Sequence, residues 1–313
     1  MSRTRSLMAQ LRHARGENAP LVPTMPLPRV EAPPARVYVP ARETTSTTAA
    51  AAAKHTTALL GIGHVGTRYA TDVVLQFQAE LAVAHSAVAA ELPDEWAAQH
   101  GFLPLQSQAT SHREFLLRPD LGRRLHPDSL ARLRKDAQRG PQNGANERTL
   151  GAGPDVQLIL ADGLSAIACM GSGEQLFAAT KAACAARGLS VGTPVCAKFA
   201  RVWLQDEIGA EVGAKVAIIL LGERPGLGTG DGLSAYAVYG PKIGNTDGER
   251  NMMSNLHARG IAPEEAAPRL AALAAAMIAQ GVSGVKLDLT GIGAGGREYR
   301  APQVRERLVV RDA

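Results

Sequence analysis

Four short stretches of this 313-residue chain hold residue types that could do chemistry. The first, Gly61-Ile62-Gly63-His64-Val65-Gly66, is a literal G-x-G-x-x-G, with Glu80 nineteen residues after Gly61. Fed by a strand and followed by a helix, such a turn aims backbone N–H groups at a pyrophosphate, so an NAD-dependent oxidoreductase is one reading. The competing reading is a glycine-rich lead into a structural helix. It is favoured here because one long helical pattern follows, not a βαβ unit.

The second stretch, Gly222-Glu223-Arg224-Pro225-Gly226-Leu227-Gly228, comes directly after the most apolar run of the chain. Its glycines permit close backbone approach, Glu223 offers a carboxylate acceptor and Arg224 a fork of donors. The plain alternative is a tight turn with a surface ion pair. Asp162-Gly163-Leu164-Ser165 holds the matching place after an earlier apolar run, where Asp or Ser could equally cap the next helix. Arg118-Pro119-Asp120-Leu121-Gly122-Arg123-Arg124 offers paired arginines for anionic groups or a partner's carboxylates; a solvated charge cluster is the alternative.

No set of residues is complete enough to catalyse by itself. The eight histidines lack the H-E-x-x-H spacing of a catalytic zinc site, and neither a P-loop nor a G-x-S-x-G elbow occurs. Cys169, Cys184 and Cys196 fit neither a zinc site nor a disulfide framework and read as reduced core residues. Neither catalytic nor metal-ligating residues are therefore assigned to this chain.

The elements that must position these loops follow from periodicity. Between Thr67 and Leu92, Val73, Val74, Phe77, Leu81, Ala84 and Val88 recur at steps of three and four, which predicts a helix. A second helix follows Pro127, with Leu130, Leu133 and Ala137 inward. From Asp155 strands and helices alternate: strand Val156–Ala161, helix Glu174–Arg187, strand Pro194–Ala200, helix Val202–Val212, strand Lys215–Leu221, strand Leu233–Tyr239, helix Pro263–Gln280 and a last strand Val282–Leu289. That alternation predicts an α/β fold with an open sheet and crossover helices, and ligands bind such sheets beyond the carboxyl ends of the strands.

Charge narrows the function. The chain carries 34 Lys+Arg against 29 Asp+Glu, but residues 1–55 hold eight against three and the remainder 26 of each. With only twelve aromatics and no basic field on the body, nucleic-acid binding is not expected. No run of 18 apolar residues predicts a membrane span. Seven of the nineteen prolines lie in 1–43, followed by a Thr/Ala stretch, so 1–56 reads as a disordered Pro/Ala-rich arm and linker. A helical N-terminal region is expected over 57–150, its 140–154 end a loop, then the open-sheet domain over 151–290 and a C-terminal extension over 291–313.

Several motifs together resemble the small (light) subunit of adenosylcobalamin-dependent ethanolamine ammonia-lyase: RPDLGRRL (118–125), ADGLSA (161–166), VGTP (191–194), LLGERPGLG (220–228), LSAYAVY (233–239) and SNLH (254–257). They stand in that family's order and at compatible spacing from about Gly61 to Leu289. One departure lies in the first helix, where the family's F-x-A-D-H reads Phe77-Gln78-Ala79-Glu80-Leu81, with Ser86 further on.

The resemblance implies a Rossmann-like domain behind a helical N-terminal region. It also implies a large-subunit partner whose barrel holds ethanolamine, with six copies of each subunit. Adenosylcobalamin would lie between the two subunits, with its own base still on cobalt. No histidine here has Asp two positions earlier, as base-displacing cobalamin proteins require. Carried over position by position, the family's cofactor contacts fall on Val202, Glu223 and Met252, the last standing where cysteine is common. The activity implied is radical conversion of ethanolamine to acetaldehyde and ammonia, in the cytoplasm. Relatives are often packed into bacterial microcompartments by the N-terminus of this subunit.

Overall fold

The computed structural model describes Ala51 and residues 64–139, 153–227, 230–258 and 260–290. Apart from Ala51, the expected arm over 1–56 lies outside the described residues, as do Gly61, Gly63, Gly228, most of the 140–154 loop and the 291–313 extension.

Six strands form one sheet: β1 (Leu103–Gln106), β2 (Val156–Ala161), β3 (Val195–Lys198), β4 (Val216–Gly222), β5 (Leu233–Tyr239) and β6 (Arg250–Leu256). Their spatial order is β1-β3-β2-β4-β5-β6; the first four are parallel to one another, and the β4–β5 and β5–β6 pairs are antiparallel. The fold is therefore α/β with a mixed sheet. From β2 the chain crosses to β3 on one side, then to β4 on the other, so its direction of travel reverses at β2.

Every residue of β2 and β4 is buried, the continuous apolar run expected of strands covered on both faces. Val156, Leu158 and Leu160 of β2, with Val216, Ile218 and Leu220 of β4, join a core containing α6 (Glu174–Ala186) and α8 (Pro263–Gln280). Ile159, Ala161, Ile219 and Leu221 face the other way, against Leu133 of α4 (Pro127–Arg139) and Leu204 and Ile208 of α7 (Leu204–Glu211). Each such leucine or isoleucine taken fully from water contributes roughly 1.5–3 kcal/mol. Alanines at 266, 267, 271 and 274 let α8 lie close over α6.

Three further helices complete the described chain: α1 (Thr71–Ala89), α2 (Trp96–Gln99) and α3 (His112–Leu117), with the very short α5 (Ala166–Ala168) leading through a π-turn into α6. In α1 the inward residues are Val73, Ala84 and Ala87, whereas Val74, Leu81 and Val88 point outward, contrary to the single apolar face expected. The helix is apolar on both sides, and the small Ala84 and Ala87 are the residues that take the close contact. Ala137 of α4 is likewise exposed.

Two strands went unannounced. β1 is only four residues long and lies within the stretch read as helical, yet it pairs with β3 in the main sheet. β6 is polar because it is an edge. The strand expected at Val282–Leu289 is instead a 3₁₀ turn at Gly284–Lys286. A side chain of β6 and the backbone of its lead-in hold it: Gly284 N–H donates to Asn251 Oδ1 (2.6 Å) and Ser283 Oγ to the Glu249 carbonyl (2.5 Å). With those groups engaged, no backbone ladder extends the sheet there.

Candidate functional site

The loops after β2, β3 and β4 gather at the carboxyl edge beside the reversal at β2, where open α/β sheets bind ligands. The loop after β2 is pressed backbone to backbone on the start of the loop after β4. A Cβ on Gly163, whose φ is +54°, would collide with the Gly222 carbonyl, and one on Gly222 with the Asp162 and Ser165 carbonyls. No other residue fits that junction. Glu223 N–H donates to the Gly232 carbonyl (2.9 Å), closing the base of the β4 loop, while Ser165 Oγ donates to the Gly230 carbonyl (2.9 Å) and also caps α5.

Asp162 turns away from its helix and organises the loop after β3. Its carboxylate accepts Phe199 N–H (2.8 Å) and Ala200 N–H (3.2 Å), and Phe199 holds a left-handed φ of 56°. Burial pushes its pKa up to about 7, against those backbone donors, which pull it down. The loop so held delivers Arg201, Val202 and Trp203. The cysteines are free and buried, and burial pushes the Cys184 thiol up to about 11.

The residues flagged from sequence converge through one that was not. Tyr236 of β5 donates from its phenol to Glu223 Oε1 (2.9 Å). Met252 of β6 is the direct cross-strand partner of Tyr236, so both project from the same sheet face, and Met252 is 59% exposed. Val202 and Tyr236 pack against the same cluster of Leu204, Ile208, Ile219 and Leu221. Burial, then the Glu223 charge, pushes Tyr236 up to about 12, so the phenol stays protonated and donating.

Helix α7 ties these pieces together with three consecutive buried polar residues. Asp206 takes Arg250 of β6 in a two-point ion pair (2.7 and 2.6 Å), both side chains 3% exposed. Glu207 accepts Arg124 at two points (3.2 Å each) and Leu125 N–H (2.8 Å). Gln205, its amide oriented to serve both neighbours, donates to the Tyr236 carbonyl (2.8 Å) and accepts from Arg250 (2.8 Å). Local periodicity shows none of this, because a helix reading QDE looks solvated until its partners are in place.

The 118–124 arginines have divided roles. Arg118 pairs with Asp120 at the surface, Arg124 is spent on Glu207, and Arg123 lies over the Trp203 ring, 4.5 Å from its centroid. Gly122 allows the contact with the next loop. Its carbonyl accepts Arg201 N–H (2.8 Å), and a Cβ there would stand 2.7 Å from Arg201 Cγ and 3.2 Å from Phe115.

Of the G-x-G-x-x-G stretch only His64-Val65-Gly66 is described, as a turn before α1, and the first described strand begins later, at Leu103. Residues 52–63, where a strand feeding a dinucleotide turn would have to lie, are outside the described residues. Among the described residues no group of three or more His, Cys, Asp or Glu could hold a metal, and no helix is long and apolar enough to cross a membrane.

An α/β sheet whose loops are clasped together at the carboxyl edge belongs to the class of open-sheet folds that place ligands beyond their strand ends. Residues 47–288 match the family of the ethanolamine ammonia-lyase light chain (EutC), and the chain belongs to that family. It is thus one chain of a carbon–nitrogen lyase, and a light chain has a large-subunit partner. Nothing supports the NAD-dependent alternative.

Proposed function

We propose that the carboxyl edge of the sheet closes an adenosylcobalamin site on the large subunit, with Val202, Glu223 and Met252 as this chain's contacts. The carrying observation is their arrangement around Tyr236: Glu223 is held by its phenol, Met252 stands opposite it, and Val202 shares its apolar cluster.

The donor set suits the cofactor. A corrin rim bears neutral amide arms, whose N–H groups a fixed carboxylate such as Glu223 accepts. Exposed Met252 and Leu227 supply apolar contact, and Met adapts its shape readily. Arg201, next to Val202, brings a guanidinium to the same loop, seated on the Phe115 ring 4.3 Å from its centroid. When bound, adenosylcobalamin supplies the radical chemistry. This chain's residues bind, orient and exclude water. The Rossmann-like description rests on the parallel strands β3-β2-β4 and the reversal at β2.

The outward apolar residues of α1, Val74, Leu75, Leu81 and Val88, form the docking face for the large subunit in this reading. Six copies of each chain and a microcompartment address in residues 1–55 extend the same family reading. Fusion of residues 1–55 to a fluorescent protein tests the address: it is wrong if the fusion stays diffuse beside a co-expressed shell.

The test of the site is reconstitution of both chains with adenosylcobalamin and ethanolamine, reading acetaldehyde. The reading predicts product only with both chains, and a cobalamin Kd about tenfold weaker in Glu223→Ala. A Glu223→Ala complex binding cobalamin as tightly as the wild type would remove the site from this edge.

A further inference from the structure

Five arginines of this chain have a carboxylate in reach. Arg118, Arg124, Arg134, Arg250 and Arg269 pair with Asp120, Glu207, Glu211, Asp206 and Glu265. Arg123, Arg201 and Arg224, from the three parts of the carboxyl edge, have none among the described residues. Two of them are pinned in place. Arg123 lies on Trp203, whose indole N–H is itself anchored on Asp247 (2.7 Å). Arg201 lies on Phe115, 4.3 Å from the ring centroid, and donates from Nη2 to the Phe115 carbonyl (3.1 Å), while its Nε remains buried and unpartnered.

Arg201 and Arg123 are brought side by side by the backbone, since the carbonyl of Gly122, next to Arg123, accepts Arg201 N–H (2.8 Å), and like charges gathered without an anion repel. Burial, then the nearby charges of Arg123 and Arg224, lower the Arg201 pKa. A fold that holds three like charges together at a ligand-binding edge is organised for a negative group arriving from outside.

We propose that Arg123, Arg201 and Arg224 form an anion site for the phosphodiester of the cobalamin nucleotide loop. This inference rests on the cofactor reading above and deepens it. Cobalamin's amide arms are neutral and are served by acceptors such as Glu223; its phosphodiester is the one group with a full negative charge. Planar guanidinium forks match phosphate oxygens in geometry and charge, which lysines would do only as point charges. The platforms under Arg123 and Arg201 reduce the side-chain freedom lost when the phosphate binds.

The experiment uses the complex of both chains and reads binding by the absorbance change of the corrin, independent of turnover. Cyanocobalamin is compared with cobinamide, which lacks the nucleotide loop, and with cobinamide phosphate. Arg224→Gln is the exposed, structurally mild variant; Arg123→Gln and Arg201→Lys follow, the last keeping charge while losing the fork. The inference predicts that Arg224→Gln and Arg123→Gln each weaken cyanocobalamin and cobinamide phosphate by about tenfold. Cobinamide binding stays within about twofold, which also certifies folding. Equal loss for all three ligands, or no loss for any, overturns the anion site; so does loss of the large subunit before any ligand is added, which would make the arginines contacts of that chain. A wild-type complex that binds no cobalamin would fail the cofactor reading itself, a separate outcome.

Discussion

The Tyr236 phenol donates to Glu223 Oε1 at 2.9 Å, from the position directly across the sheet from Met252. One hydroxyl thus fixes the rotamer of the carboxylate on which the cofactor reading depends, while its ring fills the apolar cluster that Val202 shares. Tyr236→Phe keeps the ring and removes the hydroxyl. We expect cobalamin Kd to weaken about three- to tenfold in the two-chain complex, with stability of this chain changed by less than about 1 kcal/mol. In the Tyr236→Phe/Glu223→Ala double variant the effects should not add, because the phenol acts through the carboxylate. Additive losses in the titration would show that Tyr236 works some other way.

The Asp206–Arg250 pair lies buried between α7 and β6. Burial raises the Asp206 pKa and Arg250 opposes that rise. Arg250→Ala would strand the Asp206 carboxylate in the interior and should cost about 3–5 kcal/mol in urea unfolding. Replacing both by apolar residues, Asp206→Leu with Arg250→Met, should cost clearly less. A double variant as unstable as the single would contradict the stranded-charge account.

Gly122→Ala places a Cβ against Arg201 Cγ and Phe115. Overpacking of this kind costs about 1–3 kcal/mol. The expected signature is a lowered Tm together with weaker cobalamin binding, because the displaced group is the Arg201 stem. A variant with wild-type Tm and affinity would show that the junction yields easily.

Asp162 makes stability depend on pH with a definite sign. Its carboxyl titrates near 7 in the fold and at the ordinary value near 3.8 when unfolded. Between those values the folded chain holds a proton that the unfolded chain has released. Its contribution is therefore fully present below about pH 4, falls as pH rises to about 7, and is flat above, a span of about 4 kcal/mol. Urea unfolding across pH 4–8 should show this slope in the wild type and lose it in Asp162→Asn. An identical slope in both would assign the dependence to other groups.

The outward apolar side of α1 predicts a separation of effects. Leu75→Ser with Leu81→Ser should change this chain's own stability by no more than about 0.5 kcal/mol per site. Co-elution with the large subunit should weaken at least about tenfold. Unchanged assembly in size-exclusion chromatography would move the docking face elsewhere.

The strongly apolar strands were readable because β2 and β4 are buried on both faces and need unbroken apolar runs; KVAIILL can satisfy that in few other ways. The loops GERPGLG and ADGLS were readable as edge loops for the same reason, since they follow those strands. β1 and β6 were not: one is four residues long, the other polar along its free edge, and neither has a periodicity that rises above its surroundings. The strand expected at 282–289 failed because Ser283 and Gly284 are taken by side-chain and backbone groups around β6, a competition invisible in local pattern.

Residue types and their spacing by themselves determined the α/β alternation and the motifs that carry the family resemblance, and that resemblance in turn implied Val202, Glu223 and Met252 as candidates. Only the tertiary structure decided that Tyr236 bonds Glu223 opposite Met252, that Gln205, Asp206 and Glu207 look inward, and that Arg124 is consumed by Glu207 while Arg123 and Arg201 lie on Trp203 and Phe115. The physical reason is range. Burial patterns are local and repeat along the chain, whereas a hydrogen bond or ion pair depends on which distant residue the folded sheet brings within about 3 Å.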